Sequence, residues 1–219
     1  MKPTDYAYSV GRIRALEKRL LNNTQFNNLI ELKARRELLD TIIEHPDYSA
    51  ELEACENYPQ AREILNASLA SSRELALKLL LGEELFPTKA ESDILKRYYR
   101  AQQDLGNIED LIRQKLYAGE IESFDFIEQF DHTPYSRLIR AAFSEYQEEK
   151  SFILFDKLKD DYLMNIIQPA KYISFGTEPV RAWYLARANE VKMLKMIVQG
   201  EFFNIDKDIL RKRLNLSYV

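Results

Sequence analysis

"VRAWYLARANEVKMLKMIV", residues 180–198, carries the same pattern of inward-facing positions as "ILKRYYRAQQDLGNIEDLI", residues 94–112. The earlier seam is Ile94, Tyr98, Ala101, Leu105, Ile108 and Ile112. The later one is Val180, Tyr184, Arg187, Val191, Leu194 and Val198. Both step by 4, 3, 4, 3 and 4 residues, the spacing that lays side chains along one face of a helix. Five of the six pairs are apolar or aromatic on both sides, and Arg187 is the exception. Such seams predict two long helices, each with a helical partner lying alongside at a shallow angle.

Composition extends this reading to the whole chain of 219 residues, which is long enough to bury a substantial core. Six glycines and five valines are few for a sheet, whose strands favour β-branched residues and whose turns need glycine. Leu, Ile, Ala, Glu, Lys and Arg are the vocabulary of long helices. The expected fold is all-α: a bundle of long antiparallel-packed helices, a single protein over 1–219 with two candidate repeat units, about 1–119 and 120–219.

The formal net charge of −4 is spread along the chain, which gives no reason to expect a nucleic-acid surface. Cys55 is the single cysteine and has no partner for an internal disulfide, which suits a reducing compartment. The opening "MKPTDYAYSV" has no continuous apolar core of a signal peptide, and no stretch approaches a membrane span. A cytoplasmic protein without direct lipid insertion is expected. The "NNT", "NAS" and "NLS" triplets at 22, 66 and 215 therefore carry no glycosylation reading.

Helix boundaries follow from caps and breakers. A first helix over about 4–21 turns Val10, Ile13 and Leu20 inward, and Thr24 is positioned to cap the next. "ARRELLDTIIEHP" buries Leu38, Leu39, Ile42 and Ile43 and stops before Pro46. A segment from about Pro59 to Leu81 is helical, as one helix or two. The first seam helix runs from Lys89 to about Ala118, after Pro87 and a capping box of Thr88 with Glu91, and ends at Gly119. A continuous helix is expected over about 136–167, with Phe155, Leu158, Tyr162 and Ile166 inward. Thr177 and Pro179 open the second seam helix and Gly200 closes it.

Catalytic chemistry finds little footing. Zinc needs clustered Cys and His, whereas Cys55, His45 and His132 are far apart in sequence. There is no glycine-rich phosphate loop and no G-x-S-x-G. In "FDKLKDD", Asp156 and Asp160 stand one turn apart and form a candidate Mg²⁺ pair; a solvated surface is the plainer expectation for them. "ELKARRE" at 31–37 reads as a salt-bridged surface. Tyr98, Tyr99, Trp183 and Tyr184 read as packing residues. No catalytic site, cofactor or metal is expected.

The residues around the seams carry a resemblance. "DLGNIEDLI" and "EVKMLKMIV" share the order acid, apolar, two variable, apolar, two variable, apolar, apolar. The tyrosine-rich opening "DYAYSVGRIRALEKRLL", the central Asp104, Leu105, Asn107, Ile108, Arg113 and Lys115, and the later Gly176, Glu178, Pro179, Tyr184, Leu185, Arg187 and Glu190 stand in one order. With the ending "ILRKRLNLSYV", the chain resembles the central-stalk family of V-type and A-type rotary ATPases, known as the C subunit in archaeal and bacterial machines and the d subunit in the eukaryotic one. Met193 departs from the asparagine usual at that position. Family members are longer, built of three similar helical units, and this chain has room for about two: a short form.

The resemblance implies a non-catalytic rotor component. Its partners would be the central-shaft subunits and the membrane proteolipid ring, with no nucleic acid. The protein would sit in the cytoplasm, peripheral to the membrane through the complex, and serve proton or sodium transport. Asp104, Asn107, Arg113, Glu178, Pro179, Tyr184, Arg187 and Glu190 are its structural or interface candidates. Arg187, on an apolar seam, is expected either to pair with an acid such as Glu178 or Glu190 or to reach solvent over its stem. Two other classes stay open: a stand-alone helical adaptor, and a metal-dependent helical enzyme using Asp156 and Asp160.

Overall fold

The structure, a computed structural model, describes residues 2–86, 92–117 and 125–219. Among the described residues there are ten α-helices, three 3-10 turns and no strand. The helices are α1 (Ala7–Glu17), α2 (Asn23–Glu31), α3 (Arg35–Ile43), α4 (Tyr58–Leu79), α5 (Asp93–Tyr117), α6 (Asp125–Glu128), α7 (Ser136–Glu149), α8 (Ile153–Ile167), α9 (Glu178–Phe203) and α10 (Lys207–Arg213). The all-α expectation holds.

Helix α9 is the axle of the packing. All six of its seam positions are buried, and so are Pro179, Arg181, Trp183, Glu190, Met193 and Ile197 around its other faces. A helix buried on nearly every side belongs at the centre of a fold. Its main neighbour is α4, with α1, α2, α3 and α10 also against it. Helix α5 instead lies along α8, and Tyr98, Ala101, Leu105 and Ile112 of its seam are buried. The two matching seams thus face different partners. Two apolar clusters result, and α9 runs through both: Val180–Ala186 in the first, Val191–Val198 in the second. Leu69 of α4 packs against each.

Several boundaries differ from the sequence reading, each for a local reason. Asn22, not Thr24, caps α2: its side chain accepts from Gln25 N–H while Gln25 returns the bond. Helix α4 is continuous, because Ser71 and Ser72 turn their hydroxyls back to the carbonyls of Ala67 and Ser68. The expected long helix over 136–167 is broken at Lys150, which adopts φ +55° and ends α7. Thr177 makes no side-chain cap to α9; its hydroxyl accepts from Arg181 at 2.6 Å. Gly200 lies within α9, and Asn204 ends that helix at φ +52°. Glycine is required at 200 for packing, since a Cβ there would sit 2.6 Å from Leu210 Cδ1. Pro87, the Thr88–Glu91 box and Gly119 lie outside the described residues.

Candidate functional site

Arg187 is 1% exposed, the largest fully buried side chain among those described. Its place on α9 opposite α4 leaves the guanidinium no route to water, so its charge must be met inside. Glu190, one turn along and 2% exposed, meets it in a direct ion pair. Arg187 also donates to the Tyr48 hydroxyl at 2.9 Å, to Ser68 Oγ at 3.1 Å and to the Asp47 carbonyl at 3.4 Å. The guanidinium carbon stands 4.5 Å from the Tyr48 ring centroid, a cation–π contact strengthened by desolvation.

Glu190 is equally committed. One oxygen accepts from the Tyr48 hydroxyl at 2.5 Å, and the other accepts the Leu21 backbone N–H at 2.6 Å. Burial, and then the Glu190 charge, push the Tyr48 hydroxyl well above its ordinary pKa, so it stays a donor. The node therefore bolts α9 to the α1–α2 junction, to the turn after α3 and to α4. Both terminal nitrogens of the guanidinium are engaged while its Nε has no hydrogen-bond partner; a buried charge pair of this kind fixes one geometry, and removing one partner strands the other.

Two further arginines brace α9 and its approach. Arg181, also buried, donates to Glu83 at 3.1 Å and to the Glu84 carbonyl at 2.8 Å. Tyr6 completes that link by donating to Glu83 at 2.6 Å. Arg14 of α1 donates to both Glu17 oxygens at 2.7 Å and to the Ala170 and Ile173 carbonyls at 2.9 and 2.6 Å. Tyr218 from the chain's last residues donates to the same Glu17.

The remaining candidates fall in separate places. Tyr184 is buried and packs edge-on to Phe86, and Pro179 is buried in the first turn of α9. Glu178 does not reach Arg187; it folds back over Gly176, where φ is +98° and a Cβ would meet Glu178 Oε2 at 2.6 Å. On α5, Asp104 accepts from the Tyr135 hydroxyl at 3.0 Å, and Asn107 is exposed. Arg113 pairs with Glu109 and covers the Phe152 ring at 4.2 Å. Only Arg187 and Glu190 of the eight share a hydrogen-bonded site. Tyr48, Asp47, Ser68 and Leu21 complete it, and no local motif marks them, since Tyr48 lies 139 residues from Arg187.

Asp160 corrects the surface reading: it is 8% exposed and accepts from Lys192 at 2.7 Å and Arg213 at 2.8 Å. Asp156 stands 3.7 Å from Arg113 and 4.0 Å from Lys159. Among the described residues, no group of three or more His, Cys, Asp or Glu could hold a metal ion. None of their helices is long and apolar enough to cross a membrane. "ELKARRE" does form surface pairs, Arg36 with Glu53 and Glu31 with Arg211.

Comparison with known proteins bears on this architecture. Residues 121–213, which include all of α9, match the family model described as ATP synthase (C/AC39) subunit. The chain is 21% identical to the C subunit of the A-type ATP synthase from Methanosphaera stadtmanae, over 94% of this chain and 57% of that protein. It is 26% identical to the C subunit of the A-type ATP synthase from Thermococcus gammatolerans, over 95% of this chain and 55% of the relative. The C subunit of the V-type sodium ATPase from Enterococcus hirae is 30% identical over 39% of this chain and 26% of its own. The chain thus spans little more than half the length of these relatives at most. No solved structure matches it.

Proposed function

Because residues 121–213 match the ATP synthase (C/AC39) subunit family model and the chain is similar to C subunits of A-type ATP synthases, we propose that it belongs to that family and is a non-catalytic central-stalk component of a V-type or A-type rotary ATPase. In this reading it is a socket. It receives the foot of the central shaft, rests on the cytoplasmic face of the membrane proteolipid ring, and passes rotation between them to drive proton or sodium transport.

The observation that carries the reading is the bracing of α9. A torque-bearing part must not shear, and a core held by apolar packing alone permits small slides of one helix along another. Here Arg187, Glu190 and Arg181 tie the central helix to four other segments through directional bonds. Sliding α9 by one turn would break every one of them and leave buried charge unpaired.

The test is recovery of partners. The tagged chain is expressed in its native cell, membranes are extracted in mild detergent, and co-purifying proteins are identified by mass spectrometry. Shaft subunits together with the proteolipid ring are expected. Their absence from the pull-down, with both abundant in the extract, would contradict the socket role.

A further inference from the structure

Residues 215–218 follow α10 without forming a helix or strand, yet Asn215, Ser217 and Tyr218 are buried. Leu214 fixes their starting point, with its N–H bonded back to the Leu210 and Arg211 carbonyls of α10 and its side chain in an apolar cluster. From there the strap is held by side chains of α1-end, α2, α8 and α9 residues and of the 3-10 turn Gln168–Tyr172. The Leu216 N–H donates to Asp161 at 2.6 Å, and the Leu216 carbonyl accepts from Asn189 at 3.1 Å. The Ser217 N–H donates to Asn23 at 2.7 Å, while the Asn23 amide donates to the Asn215 carbonyl at 3.3 Å. Gln168 donates to the Ser217 carbonyl at 3.4 Å. Two side chains of the strap are gripped as well. Asn215 donates to Asn189 at 2.8 Å, and the Tyr218 hydroxyl donates to Glu17 at 3.2 Å with Lys171 over its ring.

The helices do not need the strap for their own backbone bonds. No backbone–backbone hydrogen bond joins residues 215–218 to a described helix, and α2 is capped by Asn22. Lifting the strap leaves the helical ladders whole and hands Asn23, Asp161, Gln168 and Asn189 to water. It also frees Asn215 Oδ1, which is buried here without a partner and so opposes closure. Burial of the Tyr218 ring in the core favours closure. Main-chain hydrogen bonds that supply hold, with places for particular side chains that supply selectivity, are the make-up of a site for an extended peptide.

We propose that α1, α2, α8 and α9 together form a peptide-binding cleft, occupied here by residues 215–218, which leave and re-enter it as one unit while the helices stay folded. Its ligand is a short extended peptide with an asparagine and a tyrosine three residues apart. The hinge lies just after Leu214, where the last bond of α10 is made.

The test is residue-resolved amide exchange by NMR on the full chain. In wild type, the Leu216 and Ser217 amides should exchange more slowly than in a free peptide, but about tenfold or more faster than amides at the centre of α9. Asp161→Ala removes the Leu216 acceptor and Asn23→Ala the Ser217 acceptor; each should speed exchange at both amides together and leave α9 unchanged. In the full chain carrying Asn215→Ala/Tyr218→Ala, a peptide of residues 214–219 is then added at about 1 mM, the scale of concentration that a short tether provides. It should move the Asn23, Asp161 and Asn189 resonances back toward their wild-type positions, and a peptide bearing the same two substitutions should not. Strap amides exchanging at the α9 rate would make the strap an integral part of the core, and exchange at the free-peptide rate would show that it does not close; either overturns the proposal. So would loss of α9 protection in the double variant, or no response to the wild-type peptide in a variant whose α9 stays protected.

Discussion

The Tyr48 hydroxyl donates to Glu190 Oε1 at 2.5 Å, joining the turn after α3 to the central helix across 142 residues of chain. Glu190's other oxygen holds the Leu21 N–H, and Arg187 supplies the balancing charge. One carboxylate thus organises the meeting of α1, α2, α3 and α9. The cost of burying it is offset only while all its partners remain.

Arg187→Met should therefore destabilise the protein by about 3–5 kcal/mol, because Glu190 would be left buried and unpaired. In a chain of this length that lowers the melting temperature by roughly 10 °C. Arg187→Met/Glu190→Gln should fall short of the sum of the two single losses, since the stranded charge is gone. Thermal melts of the three variants decide it. Arg187→Met melting at or above wild type would show that the pair is not required.

How much of this was legible in the sequence depends on range. The helices could be read because apolar periodicity is local, and α9 was found from its own residues. Even so, its seam describes only part of it: the helix is buried nearly all round, and no single-helix pattern reports how many neighbours arrive. Arg187 stood out as a cation among apolar positions, and Glu190 one turn away was a nameable partner. Tyr48 and Ser68 were not, because their roles come from tertiary approach. Lys150 ends α7 in the left-handed region, a conformation lysine seldom adopts, so propensity gave no break there.

Two neighbouring carboxylates should give opposite pH responses. Burial raises the Asp156 carboxyl, and Arg213, Lys159 and Arg113 offset that only in part. A carboxyl raised in the fold binds its proton more tightly there, so its contribution is present below the unfolded pKa and is lost as pH rises through the folded value. Asp156→Asn should accordingly match or exceed wild-type stability at pH 7. Burial also acts on Glu109, but hydrogen bonds from Lys159 and Arg113 outweigh it and lower that carboxyl below 4.5. Its contribution is present above that pH and is lost as pH falls through the folded value. Glu109→Gln should cost about 1 kcal/mol at pH 7, and the deficit should shrink below pH 4.5. Denaturant titrations at pH 7 and pH 4 read both, and equal losses for the two variants at pH 7 would refute the contrast.

Two helical glycines should respond oppositely to alanine. At Gly106 a Cβ meets nothing within 4 Å, so Gly106→Ala should stabilise α5 by about 0.5–1 kcal/mol through helix propensity. At Gly200 the Cβ would press into Leu210, itself 6% exposed. Gly200→Ala should destabilise by about 1–3 kcal/mol, the cost of overpacking exceeding the helix gain. Leu210→Ala in the same chain should relieve part of it. A stabilised Gly200→Ala would show that α10 yields freely.

Coupling itself is the most direct measure of the central claim. Membrane vesicles depleted of this chain are assayed side by side for ATP hydrolysis and ATP-driven ion uptake, then reassayed after the purified chain is added back. A rotor socket predicts that hydrolysis persists on depletion, that ion uptake is lost, and that the added chain restores it. Ion uptake unchanged by depletion would contradict the account.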